Sequence, residues 1–266
     1  DEEALMKLIQ RQGYLDFLRR NRNRPIVKVV SGIRRCGKST LFRLFKDELL
    51  SEGVKPEQII SINFEELEYE HLRDYHALYQ YILERMQPDE MNYIFLDEIQ
   101  HVDQFHRVVD SLFVKENTDL YITGSNAYFM SSDIATLLTG RYVEIQMLPL
   151  SFSEFYHSKY DGNQYSLIPA YEFYLRESSF PYTQQLGGED FDIQEYLRGL
   201  YNTLLLHDVV ARLKIGDVTI LQDIVRYIMS NIGSLLSPNK IAKSLVSAGR
   251  KIDNKTVERY LQGLQD

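Results

Sequence analysis

The chain reads as an α/β protein with a mainly parallel sheet, followed by an all-helical region. Short β-branched runs alternate with stretches of helical spacing up to Pro149, and after it the alternation stops. Strands separated by helices need crossover connections, and these produce a parallel, doubly wound sheet.

Leu5 to Arg20 has an apolar helical face of Leu5, Leu8, Ile9, Tyr14, Leu15 and Leu18, which Gly13 interrupts. The basic stretch Arg19 to Pro25 ends it. Ile26 to Val30 is a short strand running into Ser31-Gly32, and Ser39 to Leu50 returns to helical spacing through Leu41, Phe42, Leu44, Phe45 and Leu49. The pattern repeats with a strand at Gln58 to Phe64, a helix at His71 to Met86, and a strand at Tyr93 to Leu96. A helix at Gln104 to Phe113 and strands at Leu120 to Thr123 and Tyr142 to Gln146 complete it. Beyond Pro149 we expect helices at Ser153 to Tyr160, Tyr171 to Arg176, Gln194 to Leu213, Val218 to Asn231, Pro238 to Ala248 and Asn254 to Leu264, the last three as a helix-turn-helix.

With 266 residues, 44% of them hydrophobic, the chain can bury a sizeable core. Charged residues make up 26% and are mixed along it, so no stretch has the eighteen or so apolar residues of a membrane span. Residues 1–4 resemble no secretory leader, and the missing initiator Met is read as a trimmed end. One cysteine, Cys36, excludes an internal disulfide and fits a reducing compartment, so a cytoplasmic location is expected. The net charge of -8 argues against a general nucleic-acid coat and leaves room for a local basic module.

Gly32-Ile33-Arg34-Arg35-Cys36-Gly37-Lys38-Ser39 matches G-x-x-x-x-G-K-[ST] between an expected strand and helix, the context of a P-loop. Glycines let the backbone curl its N–H groups around a phosphate, and the helix N-terminus adds positive potential. Lys38 is expected to reach the β- and γ-phosphates and Ser39 to hold Mg²⁺. The apolar run Tyr93 to Leu96 ends in Asp97-Glu98, with Asp97 expected at the metal and Glu98 expected to polarise the attacking water. Ser125 and Asn126, after the strand Leu120 to Thr123, are candidate γ-phosphate sensors, and Asn63 is a candidate polar switch touching Glu98. Arg141, after Gly140, is a candidate arginine finger acting in its own chain or across an interface. Cys36 is expected to pack as a small residue, and the histidines show no zinc-ligand spacing.

Together with Phe95 to Gln100, Ile122 to Asn126, Gly140-Arg141-Tyr142 and Leu148-Pro149-Leu150-Ser151-Phe152-Ser153-Glu154-Phe155, the loop Gly32 to Thr40 resembles one family. It is that of the prokaryotic AAA-type ATPases related to archaeal ATPases of the STAND and AAA+ groups. The resemblance implies a P-loop ATPase core with its N-terminal helix at 1–165, a helical lid at 166–217 and part of a winged helix-turn-helix at 218–266. A nuclease-like C-terminal domain, which the family often carries, is expected to be missing beyond Asp266. Many members have Gly-Gly-Phe-Pro where this chain has Ser178-Ser179-Phe180-Pro181, which puts backbone contacts there in question.

The expected function is a Mg-dependent, ATP-hydrolysing switch that is slow without a partner and coupled to a C-terminal DNA- or protein-binding module. Expected nucleotide contacts are Gly32, Ile33, Arg34, Arg35, Cys36, Gly37, Lys38, Ser39, Thr40 and Ser125. The basic residues Lys240, Lys243, Arg250, Lys251, Lys255 and Arg259 make duplex DNA a candidate partner, beside a protein partner or self-association. The alternatives are a non-hydrolysing, nucleotide-gated DNA-binding regulator and a small-molecule kinase.

Overall fold

The computed structural model describes residues 9–125, 138, 140–160, 165–186 and 190–265. It divides into two compact units, residues 1–188 and 189–266.

In the first unit, α1 (Gln12–Asn21) precedes β1 (Val27–Gly32) and α2 (Lys38–Ser51). Then come β2 (Ile59–Asn63), α3 (Tyr75–Arg85), β3 (Asn92–Asp97), α4 (Phe105–Phe113), β4 (Thr118–Gly124), β5 (Tyr142–Met147), α5 (Phe152–Tyr160) and α6 (Leu167–Glu177). Gly13 lies within the first turn of α1 and does not interrupt it. All strand pairings are parallel, in the order β2-β3-β4-β1-β5. This is the doubly wound α/β sheet that the alternation predicts.

Strand alternation divides the core between the two faces of the sheet. Ile94, Leu96, Leu120 and Ile122 face α3 and α4, where they meet Leu78, Ile82, Phe105, Val108 and Leu112. Tyr93, Phe95 and Tyr121 face α1 and α2, against Leu15, Leu18, Leu41, Phe42 and Phe45. Phe95 stacks on Tyr121 with ring centres 4.7 Å apart, and Phe42 meets Phe95 edge-on at 5.2 Å. The connection from β1 runs outward to the far edge at β2, whereas β2, β3 and β4 step back the other way, so β1 and β4 are neighbours whose exits diverge. Such a switch point opens a crevice at the carboxyl ends of the strands, and ligands bind there.

One ion pair lies inside the sheet. Lys28 of β1 donates to Asp119 of β4 and to the Arg24 carbonyl at 2.8 Å, and both side chains are fully buried. Asp119 also accepts from the Asn23 N–H at 2.8 Å and from the Tyr121 hydroxyl at 2.7 Å, so no oxygen of the carboxylate is left dry. Burial still holds the Lys28 ammonium below its usual pKa, against the pull of Asp119.

The second unit is helical. Its elements are α7 (Asp190–Tyr201), a π-helical stretch Asn202–Val209, α8 (Val210–Leu213), α9 (Val218–Ser230), α10 (Pro238–Ser247) and α11 (Asn254–Gln265). Leu221, Ile224, Ile241, Leu245, Val257 and Tyr260 form its core. Asp217 caps α9, Ser237 caps α10 with Pro238 at the first helical position, and Asp253 accepts from the Thr256 N–H at 2.7 Å ahead of α11. Gly263 allows α11 to press on Leu213, since a Cβ there would lie 2.2 Å from Leu213 Cδ1.

The segment after α6 shows what the two serines replace. Ser178 has φ 78° and ψ 160°, a conformation natural only to glycine. Beside it the Leu150 N–H donates to the Ser179 carbonyl at 2.7 Å. Strain of about 1–3 kcal/mol exceeds the roughly 0.4–1 kcal/mol that glycine adds to unfolded-chain entropy. Ser178→Gly is therefore expected to stabilise the protein by about 1 kcal/mol and raise its thermal midpoint by about 2–4 °C, as scanning calorimetry would register.

Candidate nucleotide site

Gly32 closes β1 beside Met147 of its parallel neighbour β5: a Cβ at Gly32 would lie 2.4 Å from the Met147 carbonyl oxygen, and only glycine fits. The chain then turns through Arg35 at φ 67° and Gly37 at φ 104° before α2 begins at Lys38. Two left-handed residues in one short loop curl the backbone in the way a phosphate cradle requires. Cys36 is fully buried in the core behind this loop, and burial pushes its thiol pKa up. Its role is packing, as expected. Arg34 is half-buried beside Glu65 at 3.4 Å, and Ile33 and Thr40 are half-buried along the loop and first turn.

Lys38 is the centre of the site. Its ammonium donates to the carbonyls of Gly32 at 3.0 Å and Ile33 at 3.2 Å, and lies 3.1 Å from Glu98 Oε1. All three donors of the ammonium are thereby engaged. Both side chains of the pair are almost entirely buried, at 3% and 6% exposure. Burial raises the pKa of Glu98, but Lys38, a hydrogen bond from Gln100 and the charge of Arg34 outweigh it and hold the carboxyl below its ordinary value. Glu98 itself sits in the left-handed region at φ 55°, which turns its side chain back from the end of β3 toward the loop.

Asp97 ends β3 one residue earlier and behaves differently. Burial raises its pKa, opposed by hydrogen bonds from Ser39 and Thr123. The Thr123 hydroxyl donates to Asp97 Oδ1 and accepts from the Glu98 N–H at 2.9 Å, so one side chain of β4 ties both acids together. Ser39 and Asp97 present a hydroxyl and a carboxylate side by side, a hard-oxygen pair that suits Mg²⁺ completed by phosphate oxygens and water. Among the described residues no group of three His, Cys, Asp or Glu side chains forms a ready-made metal cage.

Two sequence expectations fall elsewhere. Arg141 precedes β5 at the amino-terminal edge of the sheet: Tyr142 pairs with Val27, whereas Met147 pairs with Gly32. It is about 16 Å of strand from the loop, and its guanidinium is 2.8 Å from Asp110. Arg141 is thus not a finger for its own site. Asn63 does not touch Glu98 either, because its amide donates to Glu66 at 3.2 Å and accepts from the Glu65 N–H at 3.1 Å in its own turn. Ser125 follows β4 at the carboxyl edge and is half-buried; Asn126 lies outside the described residues.

Two residues that the sequence pattern did not single out are built into the site. Thr123 is one; its position inside an expected strand hid it, although the residue closing a neighbouring strand at the carboxyl edge was a candidate on topology alone. The other is Arg11, whose Nη1 donates to the Cys36 carbonyl of the loop at 3.2 Å.

An AAA domain model matches residues 24–156, half of the chain. The chain belongs to the AAA domain family. A second model, a domain of unknown function, matches residues 168–266 of this AAA protein. It is 37% identical over 262 residues to an uncharacterized protein of Haemophilus influenzae, covering 97% of this chain and 65% of that protein. It is 28% identical over 256 residues to protein MJ1544 of Methanocaldococcus jannaschii, covering 90% and 54%. The chain thus spans between half and two-thirds of the length of these curated relatives. Its fold is that of the Walker-type ATPase of Pyrococcus abyssi, with a TM-score of 0.62 at 16% identity over 97% of this chain and 89% of that one. It is a nucleotide-binding protein of the AAA-type P-loop group. Among the described residues no helix is long and apolar enough to cross a membrane.

Thr123→Val keeps the shape of the AAA protein's β4 and removes the bridging hydroxyl. It leaves the buried Glu98 N–H without an acceptor and Asp97 without a donor, at an expected cost of about 1–3 kcal/mol. A urea midpoint lowered at unchanged slope would register this, and an unchanged midpoint would contradict it.

Proposed function

We propose that this chain binds Mg-ATP at the loop Gly32 to Ser39, hydrolyses it slowly, and passes the nucleotide state to its helical C-terminal unit. The observation that carries the reading is the Lys38–Glu98 pair at 3.1 Å. In this reading the buried Lys38 would meet the phosphate chain and the buried Glu98 its attacking water.

The chemistry follows from their mutual dependence. Phosphate oxygens are better partners for Lys38 than one carboxylate, so the incoming β- and γ-phosphates displace Glu98 from the ammonium. Glu98 then keeps its burial and loses the cation that held its pKa down, so its proton affinity rises. The base thus strengthens when the substrate arrives. Asp97 and Ser39 are assigned to the metal, whose role would be to draw charge from the phosphate oxygens. Loop N–H groups, the α2 N-terminus and Lys38 complete the anion site. Ile9, Leu41, Leu44, Met147 and Pro181 line a mostly apolar hollow beside the loop, whose wall also includes Arg11, Arg43 and Gln185, and it is assigned to the nucleotide base.

Three substitutions separate the roles. Glu98→Gln is expected to bind Mg-ATP at least as tightly as wild type, since Lys38 loses an internal competitor, while turnover falls roughly 10²–10⁴-fold. Asp97→Asn is expected to weaken the dependence on Mg²⁺. Lys38→Ala is expected to weaken Mg-ATP binding by about 2 kcal/mol or more, read by calorimetry on variants that remain folded. Undiminished turnover in Glu98→Gln would remove Glu98 as the base. Tight Mg-ATP binding by wild type with no turnover, with or without duplex DNA, would favour the nucleotide-gated regulator.

A DNA-binding role for the second unit is supported by charge. Lys240 and Lys243 on α10, and Lys251, Lys255 and Arg259 at and along α11, are exposed, whereas Arg250 is committed to Asp223 at 2.7 Å. Helices α9, α10 and α11 would be the helix-turn-helix that such contacts use. Duplex affinity is expected to fall steeply with salt as phosphate counterions are released, and to weaken in Lys251→Ala, Lys255→Ala and Arg259→Ala by similar amounts. Absence of duplex binding at low salt would remove the role.

A further inference from the structure

Arg11 is a buried arginine at an unfavourable place. It stands at the N-cap of α1, where a cation opposes the helix dipole and its side chain makes no capping bond. Its side chain is only 5% exposed. A residue that breaks a local rule and is buried must be held by distant partners.

Those partners account for the whole guanidinium. Nε donates to Glu154 Oε1 at 2.8 Å and Nη2 to Glu154 Oε2 at 2.9 Å, a bidentate pair. Nη2 also donates to the Pro149 carbonyl at 3.2 Å, and Nη1 donates to the carbonyls of Leu148 at 2.6 Å and Cys36 at 3.2 Å. All five N–H groups are thus used. Glu154 is itself fixed. It accepts from the Ser151 N–H at 2.8 Å, while the Ser151 hydroxyl accepts from the Glu154 N–H at 3.2 Å, a capping box at the start of α5. Burial raises the Glu154 pKa, but the hydrogen bonds from Arg11 and Ser151 outweigh it and hold the carboxylate ionised.

The contact to Cys36 reaches the phosphate loop. The Cys36–Gly37 peptide is trans, so its carbonyl and the Gly37 N–H point in opposite directions. With the carbonyl held by Arg11 outside the loop, the N–H is turned to the inside. Gly37 is at φ 104°, where a glycine peptide has little steric preference for one orientation. We propose that Arg11, braced by Glu154, is a positioning residue that locks the Cys36–Gly37 peptide so that the Gly37 N–H faces the phosphates. Arg11 touches no phosphate itself. The inference rests on the reading that the loop holds a nucleotide's phosphates.

The single cysteine makes a direct test available. With carbonyl-¹³C cysteine and ¹⁵N glycine, Cys36–Gly37 is the one doubly labelled peptide in the chain, so its amide signal can be followed alone. Inorganic tripolyphosphate with Mg²⁺ is titrated into wild type and Arg11→Lys, which keeps the charge and loses the planar fork. The expected result is a downfield shift of this amide in wild type, and in Arg11→Lys an affinity at least tenfold weaker with that shift lost. A destabilised but folded protein would keep the shift. Wild-type affinity and an unchanged shift in Arg11→Lys would overturn the positioning role and leave nucleotide binding intact. Failure of wild type to bind either tripolyphosphate or Mg-ATP would overturn both. If Arg11→Lys does not fold, Glu154→Gln decides by the same two readings, with at least a threefold loss of affinity expected and wild-type behaviour refuting the role.

Discussion

The nucleotide site depends on satisfying one buried ammonium. Lys38 is taken almost wholly out of water, and a charge in that position needs three acceptors or a large penalty follows. Gly32 and Ile33 supply two from the loop's own backbone, which forces the loop to curl back on the start of α2. Glu98 supplies the third, and for that the end of β3 must lie within reach of the end of β1. The strand order places only β4 between them, and Thr123 of β4 joins the two acids across the gap. Sheet topology and the acid pair are therefore parts of one electrostatic arrangement.

The loop is held from behind as carefully as it is shaped from within. Gly32 admits the Met147 backbone at a distance no side chain would allow, Cys36 fills the core beneath it, and Arg11 ties the Cys36 carbonyl to the segment after β5. The Leu148 to Phe155 stretch, the most particular part of the family resemblance, owes its composition to this. Leu148 and Pro149 present carbonyls to Arg11, Ser151 and Glu154 cap α5, and Phe155 is fully buried. A stretch that reads as a loop and a helix start is the far wall of the site's support.

The two units divide the chemistry. The first buries charge pairs at both edges of its sheet, Lys28 with Asp119 toward the amino ends and Lys38 with Glu98 at the carboxyl ends, and holds Arg11 against Glu154 behind the loop. The second buries an apolar core and carries exposed basic residues on α10 and α11.

The chain's own sequence determined the strand–loop–helix of the phosphate loop, the parallel alternation, the acid pair after β3 and the helical tail. Each is written in residues close together along the chain, through strand and helix periodicity, glycine conformations and capping. Tertiary structure decided what those residues meet. Glu98 rather than solvent receives Lys38, Thr123 joins the acids, Asn63 turns into its own loop, and Arg11 finds partners 25 to 143 residues away. Arg141 marks the boundary between the two kinds of information. A residue preceding a strand parallel to β1 must lie at the opposite edge from the residues that follow β1, so the pairing of Tyr142 with Val27 removes Arg141 from its own chain's site.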